Sequence, residues 1–113
     1  MLVEQQKDGV LIIQFTSQKI LTDVGIADTA RELMELVKHG DDKILLDFEG
    51  VALMSSSMFG KLIALNKKCQ ANQIEMRICN ICDDMMEVVQ IAKLDKYLKI
   101  HPSLAEALDA FEN

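Results

Sequence analysis

Three consecutive serines, Ser55, Ser56 and Ser57, stand between an apolar, strand-like run and an amphipathic helix pattern. Backbone N–H groups without intrahelical partners gather at the start of a helix, and the helix dipole favours negative charge there. Ser55 or Ser56 therefore has the position of a helix cap, whose hydroxyl accepts a bond from a backbone N–H two or three residues on. A hydroxyl at the same place also suits a phosphate acceptor. The local pattern leaves both roles open.

Two cysteines, Cys79 and Cys82, have the spacing of a redox or zinc motif and lie at a predicted strand-to-helix junction. Asp83 and Asp84 follow directly, and nearby carboxylates raise the pKa of a thiol and lower its reactivity. A structural zinc ion needs four ligands. The other residues that could supply zinc ligands are scattered along the sequence: Cys69, His39 and His101. Buried, small apolar residues are the favoured interpretation, and a small redox enzyme is an alternative.

The composition favours a single acidic domain spanning residues 1–113. The chain has 12 Lys and Arg against 18 Asp and Glu, giving a formal net charge of −6. Nucleic-acid and anionic-membrane binding need concentrated positive charge, so we expect neither. Half of the residues are hydrophobic, which suffices for a core without metal or disulfide. We therefore expect no metal and no cofactor.

The sequence gives no sign of export or membrane insertion. The first residues lack a basic segment followed by a long apolar run. No stretch approaches 18 uncharged apolar residues, the minimum for a spanning helix. Three cysteines, an odd number, do not suggest a disulfide framework. We expect a cytoplasmic protein that does not insert into a membrane.

Strand and helix patterns alternate along the chain. Asp8-Gly9 is a hairpin turn signal between two strands, residues 2–7 and 10–16. Further strands are predicted at 19–21, 44–48, 74–78 and 97–100, and helices at about 24–39, from 56, at 85–92 and from 103. Ser103 and Glu106 have capping-box spacing at the start of the last helix. Such alternation predicts an α/β fold with a mostly parallel, mixed sheet and about four helices.

The segment Val51–Leu62 resembles the signature of the STAS domain family, the sulphate-transporter and anti-sigma-factor-antagonist family. That signature is an apolar strand end, then Asp-Ser-Ser-Gly-Leu-Gly, then a helix. Along it the chain has Met54 at the apolar position, Ser55 at the Asp, Ser56 and Ser57 at the hydroxyls, Met58 at the first Gly, Phe59 at the Leu and Gly60 at the second Gly. The segments 94–100 and 103–108 are also similar to the family's ending.

The resemblance implies the STAS fold and a regulatory function without catalysis. In antagonist members the first hydroxyl after the Asp, here Ser56, is phosphorylated by an anti-sigma factor that is also a serine kinase, and a phosphatase reverses this. Ser57 is the alternative acceptor. Ser55 and Met58 depart from the family's Asp and Gly. The expected partner surface is Thr22, Asp23, Met54, Ser55, Ser56, Ser57 and Met58, with the Ser56 hydroxyl and Met58 exposed.

The sequence leaves two questions open. The resemblance to STAS domains also implies an alternative function, that of an accessory subunit that binds the cytoplasmic component of a membrane transport system. That alternative needs no phosphorylation of Ser56. A homodimer is left open as well.

Overall fold

The computed structural model describes residues 2–20, 23–37 and 40–112. The chain begins with a hairpin of β1 (Leu2–Lys7) and β2 (Val10–Phe15), which pair antiparallel. Asp8 and Gly9 both have positive φ, 54° and 80°. Two left-handed residues make the turn that matches the twist of the flanking strands, which is why Asp-Gly is a strong hairpin signal. The predicted hairpin is confirmed.

The remaining elements alternate as the pattern indicates. They are β3 (Lys19–Ile20), α1 (Asp23–Val37), β4 (Lys43–Asp47), β5 (Leu53–Met54), α2 (Ser56–Ala71), β6 (Glu75–Cys79), α3 (Asp83–Ile91), a 3₁₀ turn (Leu94–Lys96), β7 (Ile100–His101) and α4 (Leu104–Glu112). The main sheet has the order β1-β2-β4-β6-β7 and is parallel except for β1. β3 and β5 form a separate parallel pair. The predicted α/β class, with a mostly parallel mixed sheet and four helices, is confirmed.

Both faces of the sheet are covered, which explains the continuous apolar runs in its central strands. In β2 the alternate residues Leu11 and Ile13 belong to the larger core, and Val10 and Ile12 to the smaller. The larger core also holds buried residues of α1, α2 and α3. The smaller core is closed by Ala107 and Phe111 of α4, and the partly buried Leu104 and Leu108 pack against it. The fold is therefore three layers deep.

The strand expected at 97–100 is largely wrong. Lys93 has a left-handed backbone, with φ of 56°, and the chain then winds into the 3₁₀ turn. The carbonyl of Leu94 accepts from the N–H groups of Tyr97 and Leu98 at 2.9 and 3.1 Å. Leu98 is consequently buried from a turn, and pairing with β6 begins only at Ile100. An apolar run of this length does not distinguish the two conformations.

Two further expectations concern helix ends. The Ser103 hydroxyl accepts from the Glu106 N–H at 3.2 Å, so Ser103 caps α4 as its spacing predicts. The helix expected at about 24–39 is α1, whose final residue in the described structure is Val37; residues 38 and 39 lie outside it. Within the described ranges every helix falls short of the length and apolar character needed to cross a bilayer.

Candidate functional site

The three serines lie at the end of the small β3–β5 sheet. Ile20 pairs with Met54 across these parallel strands, and the Ser55 N–H donates to the Ile20 carbonyl at 2.8 Å. The Ala52 N–H donates to the Gln18 carbonyl, also at 2.8 Å. These bonds fix the backbone up to Ser55, and α2 starts at the next residue. The serine junction is thus a strand-to-helix turn whose backbone is hydrogen-bonded to β3 and the residues before it.

Ser55 is the N-cap of α2. Its backbone is extended, with φ of −65° and ψ of 145°, and its hydroxyl accepts from the Ser57 N–H at 3.3 Å. Its carbonyl accepts from the Met58 N–H at 2.9 Å. The sequence left Ser55 and Ser56 open as the cap, and the structure assigns the role to Ser55. The Ser55 side chain therefore serves the helix itself.

Ser56 and Ser57 are exposed, and neither hydroxyl has a hydrogen-bond partner among the described residues. The expected exposure of Ser56 is confirmed, whereas its phosphorylation stays a prediction. The first turn of α2 holds no acidic residue. A negative group on Ser56 would meet the positive end of the helix dipole, an interaction of about 0.3–1 kcal/mol at an exposed site. The fold can accept a phosphate here without losing a native bond.

Met58 is 0% exposed, so its expected exposure is wrong. Met58, Leu62, Leu65 and Cys69 recur at helical spacing and line the buried stripe of α2. The first signature Gly is therefore replaced by a core side chain. Met54 is buried as well, because β5 directs it into the same core. Neither methionine contributes side-chain surface to a partner in this structure.

Exposed apolar residues that the sequence reasoning missed lie in β5 and in the first turn of α1. Leu53 precedes the buried Met54 in β5, and since successive strand residues face opposite sides, Leu53 points outward and is exposed. Val24, in the first turn of α1, is 71% exposed. The alternation in Leu53-Met54 was the available signal. Two apolar side chains thus come from the two elements next to the junction.

Thr22 and Asp23 were expected to join this surface. Thr22 lies outside the described residues. Asp23 is the first residue of α1, three positions after Ile20, which is hydrogen-bonded to Ser55. Three residues span at most about 10 Å, so α1 begins close to the serine junction. The role of Asp23 in partner binding stays a prediction.

Asp47, at the end of β4, is a charged residue that is only 1% exposed. It accepts from the side-chain amides of Gln14 and Asn80 at 3.0 and 2.9 Å, and from the Glu49 N–H at 3.0 Å. A buried carboxylate needs such partners, because an unpaired one would lose its hydration. Asp47 therefore ties together the ends of three neighbouring strands. Its role in this structure is architectural.

Of the cysteine pair, Cys79 is a buried core residue, as expected, whereas Cys82 is only partly buried against the core. Burial, followed by the nearby Asp47 charge, raises the pKa of the Cys79 thiol to about 12. The thiolate, which is the reactive form, is therefore scarce at neutral pH. The Cys82 thiol contacts the Ala52 carbonyl at 3.5 Å. The carboxylates that act on Cys79 are Asp47 and Glu49 rather than the sequence neighbours named above, and this environment argues against the redox alternative.

The described part of the chain also holds no group of three or more His, Cys, Asp or Glu residues arranged to bind a metal ion. His101, Cys69 and the cysteine pair are therefore not gathered into a zinc site there. His39 lies outside the described residues.

The chain belongs to the STAS domain family, whose model matches residues 2–107. An anti-sigma-factor antagonist (STAS) domain protein from Planctomyces limnophilus matches with a TM-score of 0.87 at 21% identity, covering 99% of this chain and 98% of that one. The Bacillus cell fate determinant SpoIIAA in its phosphorylated form matches with a TM-score of 0.69 at 16% identity, covering 98% and 99%. No curated protein matches the sequence.

A third similar structure is the murine anion transporter Slc26a9, with a TM-score of 0.76 at 16% identity. The match covers 96% of this chain but only 19% of the transporter. At these identities the similarities show the fold. The STAS fold predicted from the resemblance is confirmed.

Proposed function

We propose that this STAS domain is an anti-sigma factor antagonist that works by partner switching. It binds an anti-sigma factor, itself a serine kinase, while Ser56 is unphosphorylated, and it releases that partner when Ser56 carries phosphate. The observation that best supports this proposal is that Ser55 and Ser56 have different roles at the junction. Ser55 caps α2, which leaves the Ser56 hydroxyl exposed and without a partner among the described residues.

The switch is electrostatic. A phosphate adds about −1.5 to −2 charge at neutral pH, on a chain whose formal net charge is already −6. In a complex that charge would be desolvated and would face any acidic partner group. A penalty of about 2–3 kcal/mol corresponds to roughly 30- to 150-fold in affinity. Because no native bond of Ser56 is broken, the free domain keeps its fold.

The domain supplies the acceptor and the docking surface, and it has no catalysis of its own. The kinase activity comes from the anti-sigma factor, and a separate phosphatase restores the binding-competent form. The exposed Leu53 of β5 and Val24 of α1 give the proposed docking surface an apolar component. For this function we expect the domain to act in the cytoplasm, where the transcription machinery works. Ser57, also exposed, is the alternative acceptor.

The test is phosphorylation by the cognate kinase with ATP, followed by mass-spectrometric mapping. We expect a single phosphate on Ser56, lost in Ser56→Ala and kept in the matched variant Ser57→Ala. Ser55→Ala should still be phosphorylated, because the cap hydroxyl is not the acceptor. Phosphate on Ser57 would move the acceptor by one residue. No phosphate on any of the three serines would refute the switch.

The similarity to a domain of an anion transporter favours one second candidate, an accessory subunit of a membrane transport system. The two functions differ in what the domain captures and in how Ser56 matters. Pull-down should recover a kinase-like anti-sigma factor in the first case and a transporter component in the second. Ser56→Asp should weaken capture in the first case and change it little in the second.

A further inference from the structure

Positive charge is concentrated in two segments of this acidic chain. Helix α2, residues 56–71, has three lysines and no acidic residue. Residues 93–99, around the 3₁₀ turn, have three lysines and one acidic residue, Asp95. Together they hold six of the twelve Lys and Arg but only one of the eighteen Asp and Glu. The formal charge of these two segments therefore has the opposite sign to the net charge of the chain.

These two segments meet at a surface pocket of about 230 Å³. We call it the lysine pocket, and it is lined by Ile63, Asn66, Lys67, Gln70, Lys96 and Tyr97. The Asn66 side-chain amide donates to the Tyr97 carbonyl at 2.8 Å. Asn66 is itself buried, so this bond fixes the 3₁₀ turn against α2. The pocket is thus built on two elements that a buried side chain joins.

The charged and aromatic groups of the pocket are not used by the fold. Lys67 and Lys96 are exposed, and neither forms an ion pair with any residue in the described ranges. Tyr97 is 56% exposed, beside the partly buried Ile63. Two free ammonium groups next to an apolar, aromatic floor suit carboxylates carried on a partly apolar chain.

We propose that the lysine pocket binds an acidic segment of a protein partner, with carboxylates on Lys67 and Lys96 and an apolar side chain against Tyr97. Charge complementarity is the argument for this occupant. A long polyanion such as nucleic acid would also meet the acidic remainder of the chain, whereas a short acidic segment meets only the basic patch. Neither segment has an arginine, the residue best suited to bidentate phosphate recognition.

This surface is separate from the serine junction but continuous with it. Ser56, Ile63, Lys67 and Gln70 are spaced by seven, four and three residues, so they share one face of α2. Lys67 is eleven residues after Ser56, about 16 Å along the helix axis. A partner docked at the serines could extend an acidic segment to the pocket. Binding there does not require phosphorylation of Ser56, so the two proposals can fail independently.

The single tyrosine provides a direct readout, because the chain has no tryptophan. A hexaglutamate peptide is titrated into the whole protein at low ionic strength while tyrosine fluorescence is recorded. Amide shifts by NMR locate the contact. We expect a saturable fluorescence change, shifts centred on residues 63–70 and 96–97, and affinity that falls as salt is added.

Charge variants distinguish binding in the lysine pocket from nonspecific electrostatic attraction to the protein. The double variant Lys67→Glu/Lys96→Glu should lower the affinity for the peptide at least ten-fold, and Lys67→Gln/Lys96→Gln should lower it at least three-fold. The matched control Lys7→Glu/Lys19→Glu makes the same charge change at two exposed lysines elsewhere and should alter affinity less than two-fold. Urea unfolding of each variant confirms that it is folded.

Three outcomes would overturn the proposal. One is the absence of any fluorescence change or shift with the peptide. Another is an equal loss of affinity in the pocket variants and the control. The third is preference for inorganic phosphate or for phosphatidylserine vesicles over the peptide, which would assign the pocket to a different ligand.

Discussion

The side-chain amide of Asn80 donates to Asp47 Oδ1 over 2.9 Å, joining the ends of two adjacent parallel strands. Asn80 has a φ of 61°, in the left-handed region that asparagine tolerates better than most residues. With Gln14 on the other side, the buried carboxylate connects β2, β4 and the loop after β6. The carboxyl ends of these strands are therefore held together by side chains as well as by strand pairing.

Removing this carboxylate should destabilise the domain. In Asp47→Ala the donors of Gln14, Asn80 and the Glu49 N–H lose their acceptor in a buried site. We expect a loss of about 2–3 kcal/mol in the free energy of unfolding, measured by urea denaturation. Glu4→Ala, at an exposed carboxylate in β1, should stay within about 0.5 kcal/mol. Equal effects of the two variants would show that the network does not stabilise the fold.

Substitution of the two neighbouring serines by alanine should affect the stability of the domain differently, although the two residues look alike in sequence. Ser55→Ala removes the hydroxyl that caps α2 and should cost about 1 kcal/mol of unfolding free energy. Ser56→Ala removes an exposed hydroxyl without a described partner and should change it by less than about 0.5 kcal/mol. Urea unfolding of both variants gives the comparison. A larger loss in Ser56→Ala would mean that the cap is misassigned.

Met58 should behave as a core residue. Met58→Ala leaves a cavity beneath α2 and should cost about 2–5 kcal/mol, whereas Met58→Leu should cost less than about 1.5 kcal/mol. Ile91→Ala is the surface control, because Ile91 is 83% exposed, and should cost less than about 0.5 kcal/mol. Thermal or urea unfolding measures all three. A near-neutral Met58→Ala would place Met58 at the surface after all.

His101 should make stability depend on pH. Burial, followed by the Arg77 charge, lowers the pKa of His101. Arg77 has donors only, so its 3.0 Å contact with Nε2 holds the ring neutral with that nitrogen as acceptor. The unfolded chain takes up the proton at higher pH than the folded one, so stability is kept above about pH 6.5 and declines as the pH falls below it.

The measurement is urea unfolding at pH 7.5, 6.5 and 5.5 for the wild type and His101→Gln. A glutamine oxygen can still accept from Arg77 but does not titrate. We expect the wild type to lose more stability on acidification than the variant does. Parallel pH profiles would show that His101 does not contribute to the dependence.

Local chemistry determined much of this architecture. The Asp8-Gly9 turn sets the hairpin, and the Ser103 hydroxyl with its spacing to Glu106 starts α4. Apolar residues at successive positions of β2 and β4 agree with a sheet that is covered on both faces. These features depend on residues within a few positions of each other, so the sequence pattern predicts them.

Tertiary packing decided the details of the surface. Asp47 is buried because Gln14 and Asn80, each more than thirty residues away, bring donors to it. The lysine pocket exists because Asn66 holds Tyr97 against α2, which brings Lys67 and Lys96 together. Sequence spacing alone does not relate such distant residues.

At the serine junction both levels contributed. The sequence by itself determined that hydroxyls stand where a helix begins, and it predicted that Ser56 is exposed. The cap and the burial of Met58 were decided only when the β3–β5 pairing fixed the direction from which the chain enters α2. A one-residue shift in that entry would turn each side chain by about 100° around the helix axis, which is enough to exchange a core position for a surface position.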